Sequence, residues 1–194
     1  MILYLAPGAC SLADHIALHE AGLNFDQVKV DLKTHRTEDG RDYTVITPKG
    51  YVPALLLNSG EILTENIAIL SWISDQSTPA LFGDFVRYRL LEALAYVSTE
   101  IHKAFTPYFT PGANEDAKAS AGQTILKRLT FIAERLNQDY LLGAGFSVAD
   151  TYLFVMLMWA RKNGLSLPVP LPAYFERMKA RPAVQRSLKE EGLL

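Results

Sequence analysis

The chain has 194 residues, of which 49% are hydrophobic, and its formal net charge is −2. This apolar content suffices for one large domain or two small ones, and the absence of a dense Lys/Arg run argues against nucleic-acid or lipid-surface partners. Without a basic leader or an apolar run of roughly eighteen residues, the sequence predicts a soluble, cytoplasmic protein with no membrane partner.

The first part of the chain alternates strand and helix signals. Short apolar runs bounded by Pro, Gly or Asn predict strands, and apolar residues at helical spacing predict helices. A polar stretch at 33–43 is expected to form a loop with a short helix. The predicted elements are a strand at 2–5, a helix from 12 to 22, a strand at 25–32, a hairpin at 52–63 and a helix from about 65. The expected order is βαβ followed by ββα.

After this part, only helical patterns remain. They are interrupted by segments rich in Pro and Gly. The predicted helices span 84–109, 115–140, 148–163 and 172–190. Strands mixed with helices, followed by helices alone, predict two units with different cores. We place an α/β domain at 1–77, a linker at 78–84 and an all-helical domain at 85–194.

The only cysteine lies just before the first predicted helix. Ser11 and Asp14 have the spacing of a capping box, which predicts that Cys10 sits at the helix N-terminus. Backbone amides and the helix dipole there favour a thiolate, as in reactive cysteines. The alternative is a small buried hydrophobe, and the position alone leaves both open.

Two further features suggest a peptide-like ligand. Val52-Pro53, at the start of a strand, is a candidate cis peptide bond that would free the backbone of Val52; a trans proline opening a strand is the alternative. Glu65 precedes a helix whose amides suit a carboxylate, while its own side chain suits an ammonium. The helix amides and the Glu65 carboxylate together therefore fit an α-amino-acid group. The alternative is that Glu65 only complements the helix dipole.

His102 lies on a predicted stripe of small and polar residues formed with Ala95, Thr99 and Thr106. Such a stripe suits the lining of a cleft better than a core. A histidine there is suited to bind a substrate or to tune a thiolate near neutral pH, although a lone histidine is more often structural. The residues alone favour a surface or structural role for His15, His19 and His35.

Taken together, these motifs resemble the bacterial beta-class glutathione S-transferases over nearly the whole chain. The matching stretches are LYLAPGACSL, PKGYVPALLL, ILTENIAI, EIHKAFTPYF and FSVADTYLF. The resemblance implies a thioredoxin-like N-terminal domain, an all-helical C-terminal domain and a homodimer. It also implies glutathione as co-substrate, with no metal, bound between the domains and joined to small apolar electrophiles in detoxification.

The resemblance also assigns roles by position. Cys10 would contact or form a disulfide with the glutathione sulfur, with His102 close by, and Val52 would pair with the tripeptide backbone. The γ-glutamyl end would be held by Glu65 and Asn66. In the partner subunit's site, Thr99 and Glu100 would approach glutathione. The residues expected to bind glutathione are Cys10, His35, Val52, Glu65, Asn66, Thr99, Glu100, His102 and Lys103, with Cys10 and His102 catalytic.

Two positions depart from the family pattern. The family commonly has Ser where this chain has Asn66, and often has Lys, reaching the glycine carboxylate, where this chain has His35. Arg36 or Lys33 is a candidate substitute for that lysine.

Other expectations concern folding and the second substrate. Ser147 and Asp150 match a capping box with a folding role. The candidates for an apolar wall are Tyr108, Phe109 and Trp159. Two other functions stay open, namely glutathione-dependent disulfide exchange or peroxide reduction through Cys10, and non-catalytic ligand binding.

Overall fold

A five-stranded mixed sheet organises the N-terminal part of the computed structural model, which describes residues 1–77 and 84–194. The strands are β1 (Ile2–Leu5), β2 (Asp26–Asp31), β3 (Arg36–Thr37), β4 (Ala54–Leu56) and β5 (Ile62–Thr64), in the spatial order β3-β2-β1-β4-β5. The apolar strand β1 is central, parallel to β2 and antiparallel to β4. Its position explains why Leu3 and Leu5 are fully buried.

Three helices accompany this sheet: α1 (Leu12–Glu20), α2 (Tyr43–Ile46) and α3 (Asn66–Ser77). The predicted βαβ and ββα order is confirmed, and the fold is thioredoxin-like. The sequence analysis missed β3, which has only two residues, both polar. It forms because Arg36 and Thr37 pair antiparallel with Asp31 and Val30.

The C-terminal helix α9 (Pro182–Glu190) groups with this first compact unit rather than with the helical one. Arg181 donates two hydrogen bonds, of 2.6 and 2.8 Å, to the carboxylate of Glu20. His15, buried in α1, bonds to Glu190 and Glu191 at 2.9 Å each. The expected all-helical domain at 85–194 includes α9, and this boundary stays a prediction. These contacts join residues far apart in sequence, which local patterns do not reveal.

The second unit is helical throughout its described part. Its α-helices are α4 (Asp84–Tyr96), α5 (Thr106–Phe109), α6 (Glu115–Ala133), α7 (Val148–Lys162) and α8 (Leu171–Lys179). Between α4 and α5 the chain is π-helical at Val97–His102 and 3₁₀-helical at Lys103–Phe105. The predicted helix at 84–109 is thus divided, and the one at 115–140 ends at Ala133. The predicted linker, apart from Asp84, lies outside the described residues.

The predicted helix at 172–190 is two helices, because Pro182 begins a new one. Arg181, the residue before this proline, is extended with φ −68° and ψ 136°, as proline requires of its neighbour. In the centre of the unit, α7 is buried along most of its length. No helix among residues 1–77 and 84–194 is long and apolar enough to cross a membrane.

Candidate functional site

Cys10 lies in the turn that joins β1 to α1 and is partly exposed. Gly8, with φ 72°, allows this turn, and the N–H of Ala9 donates to the carbonyl of Ala6 at 3.0 Å. The thiol of Cys10 donates to the carbonyl oxygen of Val52 at 3.6 Å. The Val52-Pro53 bond is cis, which is one of the two states that the sequence left open. The turn therefore brings the thiol to the backbone segment expected to pair with a peptide.

The predicted capping box at the start of α1 is wrong. Ser11 already has helical angles, φ −59° and ψ −18°, and makes no cap hydrogen bond. Its hydroxyl instead accepts from the N–H of Ala6 at 3.2 Å and lies 3.4 Å from the carbonyl of the same residue. A capping side chain needs extended backbone angles to reach back over the helix amides, so Ser11 fastens the end of β1 instead.

The pKa of the Cys10 thiol is raised to about 12, chiefly by burial and next by the carboxyl group of Asp14. The backbone N–H groups of Cys10 and Ser11 lower it, which is the effect expected at a helix start, and Glu65 raises it slightly. The effect predicted for the helix start is thus present, but it does not decide the state of the thiol. Desolvation and a neighbouring acid outweigh the amides, and Cys10 keeps its proton near neutral pH.

Asn66, the first residue of α3, connects the Cys10 turn to α1. Its side-chain nitrogen donates to the carbonyl of Cys10 at 2.9 Å and to Oδ2 of Asp14 at 3.0 Å. Asn66 is 8% exposed and Asp14 is fully buried. The amide nitrogen is thus committed within the protein, and contact with a γ-glutamyl group stays a prediction for Asn66.

Glu65 presents a carboxylate beside two partners that the sequence analysis did not single out. Lys49 forms an ion pair with it, and the hydroxyl of Tyr51 donates to it at 2.7 Å. These contacts, Lys49 first, lower the pKa of Glu65. Glu65 has a φ of 74°, unusual for a residue other than glycine, and a side chain that is 53% exposed. Lys49 and Tyr51 both lie in the stretch PKGY, directly before Val52, which was the sequence feature that could have indicated them.

The three histidines of the first unit are held by hydrogen bonds. His35, with φ 53°, bonds through Nδ1 to the carbonyl of Gly50 at 2.9 Å, and its contact with a glycine carboxylate stays a prediction. His15 and His19 share the carboxylate of Glu190 at 2.9 Å. Within the described residues, His15, His19 and Glu190 are the side chains close enough together to hold a metal ion. The distances from the two imidazoles to the carboxylate are those of hydrogen bonds.

His102 ends the π-helical segment of the second unit. Its Nδ1 lies 2.6 Å from the hydroxyl of Tyr152, and its ring packs edge-on against Trp159 with centroids 5.1 Å apart. Burial lowers the pKa of His102, so the imidazole is neutral at pH 7. Tyr152 was not predicted as a site residue, although it lies in the stretch FSVADTYLF.

The polar stripe predicted around His102 is altered, because π-helical hydrogen bonds run from i to i+5 and widen the turn. Thr99 is exposed and bonds to the carbonyl of Ala95 at 3.0 Å, whereas His102 is partly buried. Glu100 pairs with Arg128 at 2.7 Å, and Lys103 is exposed. The assignment of Thr99, Glu100 and Lys103 to glutathione stays a prediction.

Aromatic side chains surround the same histidine. Trp159 is 8% exposed, and Phe109, which is 57% exposed, packs against it with centroids 4.6 Å apart. Tyr108 packs on Phe105, which also contacts Trp159. Phe109 therefore offers an open apolar surface in contact with a residue that touches His102.

Comparisons with known proteins match both units. The family model for the N-terminal domain of glutathione S-transferases matches residues 1–75. The model for the C-terminal domain of the same family matches residues 96–182. The chain belongs to the glutathione S-transferase family.

Relatives of this glutathione S-transferase match it over its full length. Glutathione S-transferase GstA of Escherichia coli O157:H7 is 43% identical over 100% of both chains. A sphingomonad glutathione S-transferase, solved in complex with glutathione, is 46% identical with a TM-score of 0.94 and 100% coverage of both chains. The beta-class enzyme of Sphingomonas chungbukensis is 46% identical with a TM-score of 0.91 and the same coverage. The resemblance to the beta class is confirmed, and the chain is an enzyme of this family.

Proposed function

We propose that this glutathione S-transferase joins the thiol of glutathione to small apolar electrophiles, with Cys10 next to the glutathione sulfur. The contact between the Cys10 thiol and the carbonyl of Val52, at 3.6 Å, supports this most directly. A tripeptide that pairs with the backbone of Val52 would present its own cysteine at this point. Its sulfur would then replace the carbonyl as the acceptor of the Cys10 S–H.

The state of Cys10 suits a hydrogen-bond donor. Because the pKa of Cys10 is raised to about 12, its sulfur keeps a proton at pH 7 and donates it to an acceptor. A hydrogen bond to the charged form of a thiol lowers the pKa of that thiol. Cys10 would therefore favour the glutathione thiolate, which is the nucleophile that attacks the electrophile. A raised thiol pKa gives less support to direct disulfide exchange by Cys10.

The γ-glutamyl end of glutathione carries both an ammonium and a carboxylate. Glu65 and Lys49 form an exposed pair of opposite charges that matches this group. We assign the ammonium to Glu65 and the carboxylate to Lys49 together with the amides at the start of α3. The Glu65→Gln change is expected to raise the KM for glutathione about tenfold with little change in kcat.

The electrophile would lie against the exposed face of Phe109 and the edge of Trp159. The neutral His102, fixed by Tyr152, suits a hydrogen bond in the same region. A homodimer in which Thr99, Glu100 and Lys103 approach the partner's glutathione belongs to the same proposal, as does a cytoplasmic location.

A chromogenic aryl-halide assay with glutathione tests the proposal. We expect turnover by the wild type, a loss of about tenfold in kcat/KM for Cys10→Ala, and a smaller loss for Cys10→Ser, which keeps a donor. The absence of turnover across a series of aryl halides would contradict transferase activity. Reduction of a glutathione mixed disulfide, measured in parallel, shows whether either variant loses an exchange reaction that depends on Cys10 as nucleophile.

A further inference from the structure

Asp14 is a fully buried acid one helical turn after Cys10. Its Oδ2 accepts from Asn66 at 3.0 Å, while Oδ1 has no hydrogen-bond partner within the described ranges, 1–77 and 84–194. A charged oxygen without a partner is costly in the interior. Burial accordingly raises the pKa of Asp14 well above its ordinary value. This carboxyl group retains a proton at pH values where exposed carboxyl groups have lost theirs.

One amide group connects Asp14 to the Cys10 turn. The Nδ2 atom of Asn66 donates both to Asp14 and to the carbonyl oxygen of Cys10, at 3.0 and 2.9 Å. The N–H of Ala13 donates to the carbonyl of Cys10 at 3.0 Å, so Cys10 opens the turn that leads into α1 and Asp14 follows it by about one helical turn. The charge of Asp14 also raises the pKa of the Cys10 thiol. A negative charge on one therefore opposes a negative charge on the other, most strongly where water is excluded.

Other ionisable groups near this pair are balanced by partners. Glu65, at the start of α3, is paired with Lys49 and Tyr51. At the end of α9, which packs against α1, the carboxylates of Glu190 and of the following residue, Glu191, are bonded to His15 and His19. Asp14 differs from these carboxylates because its only side-chain donor in the described chain is a neutral amide.

We propose that the Cys10 thiol and the Asp14 carboxyl group, which Asn66 ties to the backbone of Cys10, form a coupled acid pair that carries at most one negative charge over the physiological pH range. Asp14 loses its proton first, and Cys10 then keeps the proton on its sulfur. Asp14 is thus a positioning residue that maintains Cys10 as a hydrogen-bond donor. The coupling extends the proposed function. It depends on that function only for the assignment of Cys10 to the glutathione sulfur.

The rate of Cys10 alkylation by iodoacetamide tests this coupling. The sulfur displaces iodide only as a thiolate, and the chain has one cysteine, so the rate reports on Cys10 alone. We expect the wild-type rate to rise with pH, to flatten as Asp14 ionises, and to rise again once Asp14 is fully charged. Asp14→Asn is expected to show a single rise, which meets the wild-type curve at low pH and exceeds it about tenfold at high pH.

Asp26→Asn is the matched control, because Asp26 is exposed on β2 and the change in charge is the same. Its curve is expected to superimpose on that of the wild type. Asp14→Ser provides a second variant in case Asp14→Asn does not fold, and it is expected to show the same single rise. Superimposable curves for wild type and Asp14 variants, or an offset equal at every pH, would overturn the proposal. The assay contains no glutathione, so its outcome is independent of conjugation activity.

Discussion

The starts of α1 and α7 carry the same Ser-x-x-Asp spacing but hold it in different conformations. Ser147, before α7, is extended with φ −135° and ψ 163°, and it forms a capping box with Asp150. Ser11, before α1, is helical, and it bonds to Ala6 instead. The two serines thus differ in backbone conformation. This difference determines which hydrogen bonds the following aspartate, Asp14 or Asp150, can form.

At α7 the carboxylate of Asp150 is fully used. It accepts from the N–H and hydroxyl of Ser147 at 2.8 Å each, from the N–H of Leu141 at 2.9 Å and from the hydroxyl of Tyr174 at 2.8 Å. At α1 the carboxyl group of Asp14 has the amide of Asn66 and one oxygen without a partner. The hydrogen bonds of Asp150 stabilise the start of α7. The carboxyl group of Asp14, in contrast, is only partly bonded and lies one helical turn after Cys10.

Removal of the Asp150 carboxylate should therefore have the largest effect on stability. Asp150→Ala leaves several buried donors unpaired, and we expect a loss of about 3 to 5 kcal/mol in the free energy of unfolding. Urea denaturation followed by circular dichroism measures it, with Asp26→Asn as the control. A loss below about 1 kcal/mol would show that the capping box is not the main support of α7.

The stability effect of Asp14→Asn should depend on pH. A raised pKa means that folded Asp14 holds its proton more tightly than the unfolded chain does, so its contribution is greatest below about pH 4. That contribution is lost as pH rises towards the folded pKa, at up to about 1.4 kcal/mol per pH unit. Relative to wild type, Asp14→Asn should gain stability as pH increases from about 4. Thermal unfolding across this range checks it, and a difference that is constant with pH would count against a raised pKa.

Glycine at either serine should have a smaller effect than Asp150→Ala. At Ser147 glycine tolerates the extended backbone but removes the buried hydroxyl that donates to Asp150 at 2.8 Å, so we expect a loss of about 1 to 3 kcal/mol in the free energy of unfolding. At Ser11, which is helical, we expect a loss of about 1 to 2 kcal/mol through backbone entropy and the bond to Ala6. Urea denaturation measures both, and no loss at Ser147 would show that its hydroxyl does not support the start of α7.

Most of the fold was predictable, because its signals are local. Apolar periodicity indicated β1 and α1, and Asn58-Ser59-Gly60 indicated the hairpin turn, whereas the sequence left the state of the Val52-Pro53 bond open. The state of Cys10 was not predictable, since Asp14 and Asn66 meet only after α1 and α3 pack together. For the same reason, the place of α9 and the partners of Glu65 and His102 depend on contacts between distant segments. The π-helical turn before Lys103 has no periodic signal that separates it from an α-helix.

The reaction of Cys10 with glutathione disulfide tests whether the thiol lies in a glutathione site. The Cys10 thiolate attacks one sulfur of the disulfide, forms a mixed disulfide and releases glutathione thiolate, and intact-mass spectrometry follows the adduct. Hydroxyethyl disulfide serves as a comparison reagent without γ-glutamyl or glycine groups. We expect faster modification by glutathione disulfide, with the preference reduced about tenfold or more in Glu65→Gln. Equal rates for the two reagents in wild type would show that Cys10 does not lie in a glutathione site.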